Sequence, residues 1–287
     1  MSVIGFVILH YGNVQVTKEC VDSILQLHTE DDIHVVVVDN DTNKSAEERQ
    51  ELKYAVLSDQ QVELIQIKEK SGFSRANNEG YAYLREMYNP DYMIVTNNDI
   101  TFEQKDFIER LKGIYEECPY EVLGPDIVNR ENGQHQSPID VSGRSLQQVN
   151  YTIRMNAICL KLFPIVYPFL QMNYNRAKAH GNIDAIKERQ TSIVPCGACL
   201  IVSKNFISNE NVMFTPETNF YYEEYILHER CRRSGYRILF SPEVQVIHGD
   251  GIATKGKTDS EKKRMKFVME ETLKSARKYR SLIQEQK

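Results

Sequence analysis

The sequence lacks three features that would each point to a class of protein. No stretch reaches about 18 consecutive apolar residues, so the sequence offers no ordinary transmembrane helix. Its 35 Lys and Arg residues against 40 Asp and Glu give a net charge of −5, which removes the electrostatic signature of a dedicated nucleic-acid binder. Six cysteines in 287 residues fall short of the density of a disulfide-stapled secreted scaffold. We therefore expect a soluble or peripheral cytoplasmic protein with reduced thiols and no nucleic-acid partner.

The composition is not biased, and we expect no signal peptide in the first residues. The apolar run at residues 3–9 follows no basic residue and stops at His10, which is typical of a first β-strand rather than of a secretory leader. Apolar residues make up 41% and charged residues 26% of the chain, so it is neither disordered nor a coiled coil. The length favours one large domain with an appendage.

Strand-like and helix-like segments alternate in the first hundred residues. Continuous β-branched runs at 3–9 and 33–39 are typical of parallel strands that are buried on both faces. Helical spacing separates them, with Thr17 as a candidate N-cap. Further helices are predicted within 44–58 and 75–87, and further strands at 62–67 and 92–96. This alternation predicts an α/β fold with a doubly wound sheet.

The second half of the sequence is less regular. Residues 129–190 look like an insertion, and residues 193–202 predict a buried strand. A helix is predicted over 223–234, ended by Gly235, and short strands at 237–239 and 244–247. From Lys255 onward there are 11 basic and 5 acidic residues, so the tail differs electrically from the rest of the chain.

Polar residues cluster where the predicted strands end, which is where ligands bind in open α/β sheets. The clusters are His10–Asn13, Asp39–Asp41, residues 71–78 and Asn97–Asp99. Asp39 offers acceptors for a nucleobase imide or for ribose hydroxyls, and Tyr11 offers a ring for stacking on a base. Gly72 permits close backbone approach, so the helix that follows can face a diphosphate. Asp99 is a candidate oxygen ligand for Mg²⁺ or Mn²⁺. Each cluster alone also fits an ordinary capped loop.

Two motifs in the second half carry ionisable side chains. Glu223 and Glu224 form a pair of carboxylates at a predicted helix start, where they suit general-base catalysis or complement the helix dipole. Cys196 and Cys199 form a CxxC motif that precedes a strand rather than a helix, so a reactive redox pair is disfavoured. No second CxxC completes a zinc site.

The ordered series of motifs resembles the inverting nucleotide-diphospho-sugar glycosyltransferases of family 2, particularly their rhamnosyltransferase-like branch. The motifs that carry the resemblance over about residues 3–250 are VILHYGN, VVVVDN, SGFSRANNEG, IVTNNDI, PCGACLIVSK, FYYEEYILHERCRRSGYR and VIHGDG. The resemblance implies a GT-A fold, a Rossmann-like doubly wound mixed sheet with a C-terminal acceptor half and a helical basic tail. It divides the chain into a nucleotide-sugar half at 1–128, a candidate helical insertion near the acceptor or the membrane at 129–190, an acceptor and catalytic half at 191–254, and a basic helix at 255–287.

The same resemblance assigns roles to residues. The donor-binding set it implies is Tyr11, Asp39, Asn40, Gly72, Phe73, Arg75, Asn77, Asn97 and Asn98. Asp99 and His248 are implied ligands of Mg²⁺ or Mn²⁺, but Asn97 replaces the first aspartate of the family's Asp-X-Asp motif, so Asp99 alone supplies a carboxylate. Glu224 is the implied general base; alternatively, Glu223 is the base and Glu224 orients it.

The function implied is inverting transfer of a sugar from a UDP- or dTDP-sugar, with dTDP-rhamnose as one candidate, to a glycan or lipid-linked acceptor in cell-surface polysaccharide synthesis. The alternative is a catalytically impaired nucleotide-sugar-binding subunit of a glycan assembly complex. A dinucleotide oxidoreductase is disfavoured because no G-x-G-x-x-G motif follows the first strand.

Two basic-apolar segments bear on where such an enzyme works. Residues 151–178 carry four positive charges and no negative one among aromatic and aliphatic residues, and residues 265–283 have a helical apolar spacing with basic residues around it. We expect one or both to contact the inner face of the cell membrane; the alternative is that both pack on the protein.

Overall fold

The computed structural model describes residues 1–42, 44–57, 59–68, 71–180, 185–216, 218–249 and 261–284, with the side chains of 174–180 left aside. Within these residues the strands form one mixed sheet in the order β3-β2-β1-β4-β8-β6-β9-β5, with β7 paired to β9. The strands are β1 (Val3–His10), β2 (Asp32–Asp39), β3 (Val62–Gln66), β4 (Tyr92–Asn97), β5 (Ile100–Thr101), β6 (Val122–Asn129), β7 (Gln190–Thr191), β8 (Cys199–Ser203) and β9 (Ile238–His248).

Helices connect the strands and cover the sheet. They are α1 (Val14–Leu25), α2 (Ala46–Val56), α3 (Gly72–Tyr88), α4 (Phe107–Glu117), α5 (Leu146–Lys161), α6 (Phe163–His180), α7 (Lys204–Asn209), α8 (Glu223–Ser234) and α9 (Glu261–Gln284). Strands β1 to β4 run parallel, whereas β8 is antiparallel to both β4 and β6.

The sheet is covered on both faces because its central strands carry apolar side chains on both sides. In β1, Phe6 and Ile8 belong to one buried cluster with residues of α1, α2 and α4, while Val7 and Leu9 belong to a second with residues of α3, α7 and α8. The predicted doubly wound α/β sheet is therefore confirmed.

A third buried cluster holds the C-terminal helix against the protein. Ala276 and Tyr279 of α9 pack with Val149 and Ile153 of α5 and with Tyr225 of α8. The Tyr279 hydroxyl donates to the Arg144 carbonyl at 3.2 Å. The apolar face of the tail is thus used in packing, as the alternative to membrane contact required.

Some predicted elements differ from the observed ones for local reasons. Asn13, whose side chain accepts from the Gln15 N–H at 2.8 Å, caps α1, whereas Thr17 is buried beside His10. The predicted strand at 193–202 starts only at Cys199, because Pro195 has no N–H for a ladder. The two short strands after Gly235 are one strand, β9, interrupted by a register shift. The insertion contains two helices, α5 and α6, which agrees with the helical interpretation of residues 129–190.

Candidate active site

The carboxyl ends of the parallel strands meet at one edge of the sheet, hereafter the sheet edge. The register pairs His10 with Asp39, Asp39 with Gln66, and Leu9 with Asn97. The polar clusters that follow β1, β2 and β4 are therefore neighbours in space, as their sequence positions predicted.

Two buried asparagines tie these clusters together. The Asn98 amide donates to the Tyr11 carbonyl at 3.2 Å and to the Thr17 hydroxyl at 2.8 Å. The Asn40 amide donates to the Gly72 carbonyl at 3.2 Å, and its oxygen accepts from the Ser71 hydroxyl at 3.1 Å. Both side chains thus fix the loops around the site.

Asp39 lies at the centre of the sheet edge and is 4% exposed. Its Oδ1 accepts from the Asp41 N–H at 3.1 Å, which is an Asx turn, and burial raises the pKa of its carboxyl. The Lys44 ammonium contacts His10 in the same buried pocket. The carboxylate is therefore held in a fixed orientation with a cation nearby.

The start of α3 is covered by residues 214–216 and 218–219, hereafter the cover segment. The Phe73 N–H donates to the Asn219 carbonyl at 2.8 Å, and the Arg75 Nε–H to the Pro216 carbonyl at 3.0 Å. Gly72 has φ +71°, and a Cβ there would lie 2.9 Å from the Asn219 Cα. Asn77 donates within its own helix, to the Phe73 carbonyl at 3.0 Å. Arg75 and Asn77 thus hydrogen-bond to backbone carbonyls that surround the start of α3.

Asp99 and His248 are far apart in the sequence and adjacent in the structure. Strand β5 pairs with β9 so that Ile100 lies opposite His248, and His248 Nε2 lies 3.2 Å from Asp99 Oδ1. The His248 Nδ1–H donates to Gln136 Oε1 at 2.6 Å, which turns Nε2 toward Asp99. Asn97 lies beside this pair, with its N–H donated to the Ala198 carbonyl at 2.9 Å.

A carboxylate and an imidazole nitrogen in this arrangement suit a divalent cation. Among the described residues there is no group of three or more His, Cys, Asp or Glu that could hold a metal. The donor set therefore fits a metal that takes most of its ligands from phosphate oxygens and water, and it does not fit an all-protein cage.

The paired glutamates begin α8 in two different environments. Glu223 is 5% exposed, and burial together with the adjacent Glu224 charge raises its pKa to about 8. Its Oε1 has no hydrogen-bond partner in the described part of the chain. Glu224 is partly exposed, and its Oε1 accepts from the Gly197 N–H at 3.3 Å. Burial also raises the pKa of Glu224.

The backbone before α8 is strained. Tyr221 and Tyr222 have φ values of 68° and 69°, a region that costs a non-glycine residue energy. The Arg144 guanidinium donates to the Tyr222 hydroxyl at 3.0 Å and lies over the Tyr225 ring at 4.7 Å. These contacts hold the turn that presents Glu224.

Gly197 joins the glutamate to the sheet edge. Its N–H contacts Glu224, and the carbonyl of the next residue, Ala198, accepts from Asn97. A Cβ at residue 197 would lie 2.6 Å from Glu224 Oε1, so any residue other than glycine would displace the carboxylate from its observed position. Sequence reasoning noticed this glycine only as part of the CxxC motif.

The thiols of the CxxC motif do not suit redox chemistry. Cys199 is fully buried in β8, and burial raises its pKa to about 12.

Sequence reasoning also missed Gln136, because the chain reversal that brings it to His248 has no local signature. Lys255 and Lys257, two basic residues that follow His248 in the sequence, lie outside the described residues. In the described part of the chain, no helix is long and apolar enough to cross a membrane.

Comparison with known proteins identifies the family. No curated protein sequence matches the chain. The fold is similar to residues 1–349 of S. aureus TarS, with a TM-score of 0.51, 11% sequence identity and coverage of 94% of this chain. This chain spans 65% of the length of that chain, and the likeness at this identity supports the fold alone. The GT-A, Rossmann-like fold that the resemblance implied is thereby confirmed. The model of glycosyl transferase family 2 matches residues 6–180, more than half of the sequence. The chain therefore belongs to glycosyl transferase family 2.

Proposed function

We propose that the chain is an inverting glycosyltransferase that moves a sugar from a UDP- or dTDP-sugar to a glycan or lipid-linked glycan acceptor. The observation that carries the proposal is the link between the sheet edge and Glu224. Asn97 hydrogen-bonds to Ala198, and the adjacent Gly197 hydrogen-bonds to Glu224. A carboxylate base is thus held beside the strand end where a diphosphate and its cation would lie.

The residues at the sheet edge bind the donor. Asp39 accepts the imide N–H of the base, and uracil and thymine both present that group in the same place. Tyr11 supplies a ring for stacking on the base, and its backbone is held by Asn98. This chemistry supports a pyrimidine nucleotide and leaves dTDP-rhamnose as one candidate among donors of that class.

Asp99 and His248 lie where they can stabilise the leaving diphosphate through a cation. These two residues would hold Mg²⁺ or Mn²⁺, which when bound neutralises charge on the departing diphosphate. Gln136 orients the histidine for that role by accepting from Nδ1–H. Asn97 adds an amide instead of a second carboxylate, so cation binding depends more strongly on the bound nucleotide.

Glu224 acts as the general base. It takes the proton of the acceptor hydroxyl as that oxygen attacks the anomeric carbon, on the face opposite the diphosphate. Glu223, whose pKa is about 8, is mostly protonated at pH 7 and so adds little negative charge beside the base. The Gly197 N–H fixes the Glu224 carboxylate and stabilises its charged form.

A role without catalysis is the second candidate: a nucleotide-sugar-binding subunit of a glycan assembly complex. It is favoured by Asn97, which leaves the metal site with one carboxylate. With either role, we propose that the protein acts in the cytoplasm, in cell-surface polysaccharide synthesis.

The test is a thermal-shift screen of UDP, dTDP, GDP and ADP, each with and without Mn²⁺. A ligand that binds the native state raises its apparent stability. We expect UDP or dTDP to raise the melting temperature more than the purine nucleotides do, and Mn²⁺ to increase that shift. Asp39→Asn should remove the preference. Equal shifts for all four nucleotides, or none, would contradict the proposal.

A further inference from the structure

We propose that the outer face of helices α5 and α6 docks on an anionic lipid bilayer. Seven large apolar side chains there are 39–70% exposed, and we call them the outer stripe: Tyr151, Met155, Ile158, Leu162, Ile165, Phe169 and Met172. They include about half of the large apolar side chains that are exposed in the described part of the chain. Their concentration on two consecutive helices is typical of an interaction surface.

The outer stripe is a continuous line along the helix pair. Its members are spaced alternately by four and three residues, which keeps them on one side of a helix. A turn at Leu162 separates the two helices, and the spacing of the exposed side chains continues on both sides of it. The stripe therefore has members on both α5 and α6.

The outer stripe is separate from the core. The opposite side of α5 carries Val149 and Ile153, which pack with Ala276 and Tyr279. The helix is thus anchored to the protein by one face while its other face stays exposed. The outer stripe is therefore left uncovered by the described part of the chain.

The charge around the outer stripe selects that partner. Residues 141–183 contain five basic residues and no acidic one, whereas the overall frequency of 40 acidic residues in 287 would place about six in such a length. Glu261 of α9 reaches Gln171, and Lys262 beside it lies 5.5 Å from the centre of the Tyr167 ring. The exposed charged residues next to the outer stripe on α5, Arg154 and Lys161, are both basic, so this face complements an anionic surface and disfavours a second copy of itself.

An in-plane helix on a bilayer uses these two features together. Its apolar side chains enter the boundary of the acyl chains, and its basic side chains meet the anionic headgroups. Arg154 and Lys161 lie next to members of the outer stripe in the sequence and are placed for the second role. Contact of this kind does not require the membrane-spanning length that the described helices lack.

Docking there would orient the candidate active site. Helix α5 begins at Leu146, two residues after Arg144, and Arg144 donates to the hydroxyl of Tyr222, which lies two residues before Glu224. If the proposed function holds, the surface brings the base toward an acceptor carried by a lipid. The docking itself is independent of catalysis, and its test uses neither donor nor acceptor.

The test is co-sedimentation of the full chain with vesicles of phosphatidylcholine, with and without phosphatidylglycerol. We expect binding only to the anionic vesicles and its loss at about 1 M NaCl, where the Debye length is about 3 Å. Ile165→Ser with Phe169→Ser should weaken binding about tenfold or more. Arg154→Gln with Lys161→Gln should weaken it about 10- to 30-fold. The matched controls are Tyr54→Ser with Met87→Ser, also at exposed apolar residues, and Lys53→Gln with Lys187→Gln, also at exposed lysines.

Three outcomes would overturn the proposal. The full chain could stay in the supernatant with anionic vesicles at low salt. The outer-stripe variants could sediment like the wild type or lose no more binding than the controls. Sedimentation velocity could show a dimer that the Ile165 and Phe169 substitutions dissociate, without vesicle binding, which would assign the surface to a second copy. Circular dichroism of each variant establishes that a loss of binding is not a loss of fold.

Discussion

The close contact between Glu224 and Gly197 gives the sharpest prediction, because one added methyl group should displace the base without disturbing the fold. In Gly197→Ala the new Cβ would lie 2.6 Å from Glu224 Oε1 and 3.1 Å from its Cδ. Ordinary contact begins at about 3.4 Å, so the carboxylate oxygen must move by about 0.8 Å. A misplacement of about 1 Å at a reacting group costs about 10²-fold in rate, and we expect turnover to fall by about that factor.

The assay separates displacement of the base from damage to the protein. The atoms that the new methyl group meets belong to the end of a flexible side chain, so the melting temperature should change little. Nucleotide binding by calorimetry should be unchanged, because Glu224 does not belong to the donor-binding set. Gly113→Ala, which meets no atom within 4 Å in α4, is the matched control and should keep full turnover.

A second substitution tests the direction of the effect. Glu224→Asp shortens the side chain by one methylene, so Gly197→Ala with Glu224→Asp should be more active than Gly197→Ala alone. A folded Gly197→Ala protein with wild-type turnover would refute the reasoning. The reasoning would also be refuted if Glu224→Asp alone is active and the double variant turns over no faster than Gly197→Ala.

Three further predictions concern Glu223, Gly72 and Gln136. The pKa of Glu223 is raised to about 8, so the folded state keeps a proton that the unfolded state releases. The free energy of unfolding of the wild type should therefore fall by a few kcal/mol as the pH rises from about 4.5 to about 8. Urea unfolding of Glu223→Gln should lack this fall. Gly72→Ala should lose about 2–5 kcal/mol in urea unfolding, because its φ is positive and its Cβ would meet the Asn219 backbone, whereas Gly133→Ala, with positive φ and open space, should lose only about 1–2 kcal/mol. Gln136→Leu should weaken Mn²⁺ binding in the presence of nucleotide by about 10- to 100-fold, measured by electron paramagnetic resonance; unchanged affinity would remove the glutamine from the metal site.

Local patterns in the sequence were enough to predict the sheet and its carboxyl edge. The strand run at 33–39 is buried on both faces as its composition requires, and α8 begins at Glu223 and ends before Gly235 as predicted. Such features depend on neighbours in sequence. They include hydrophobic period, a glycine in the left-handed region at a helix end, and charged residues in the first turn.

Long-range features were beyond that reasoning. The adjacency of Asp99 and His248 depends on the pairing of β5 with β9, which the spacing of the two residues does not encode; only the family resemblance indicated it. The bounds of α5 were not predicted because the helix has apolar residues on two opposite sides, inward at Ile153 and outward at Met155, so no single amphipathic period stands out.

The roles of individual residues remain predictions for the same reason. Asn40 and Asn77, expected at the donor, hydrogen-bond to backbone carbonyls of the chain, and Arg75 holds the cover segment. A polar residue after a strand is chosen by evolution either for a ligand or for a loop, and its type does not distinguish the two uses.

The central claim is that the chain transfers a sugar from a pyrimidine nucleotide-sugar with Glu224 as the base. The most direct measurement is release of UDP or dTDP from a panel of nucleotide-sugars with Mn²⁺, with water as the acceptor, by the wild type and by Glu224→Gln. We expect the wild type to release nucleoside diphosphate from at least one donor, and Glu224→Gln to do so about 10²- to 10⁴-fold more slowly with unchanged nucleotide affinity. Glu224→Gln turning over a donor at the wild-type rate, or a wild type that binds pyrimidine nucleotides and turns over no donor even when glycan acceptors are added, would contradict it.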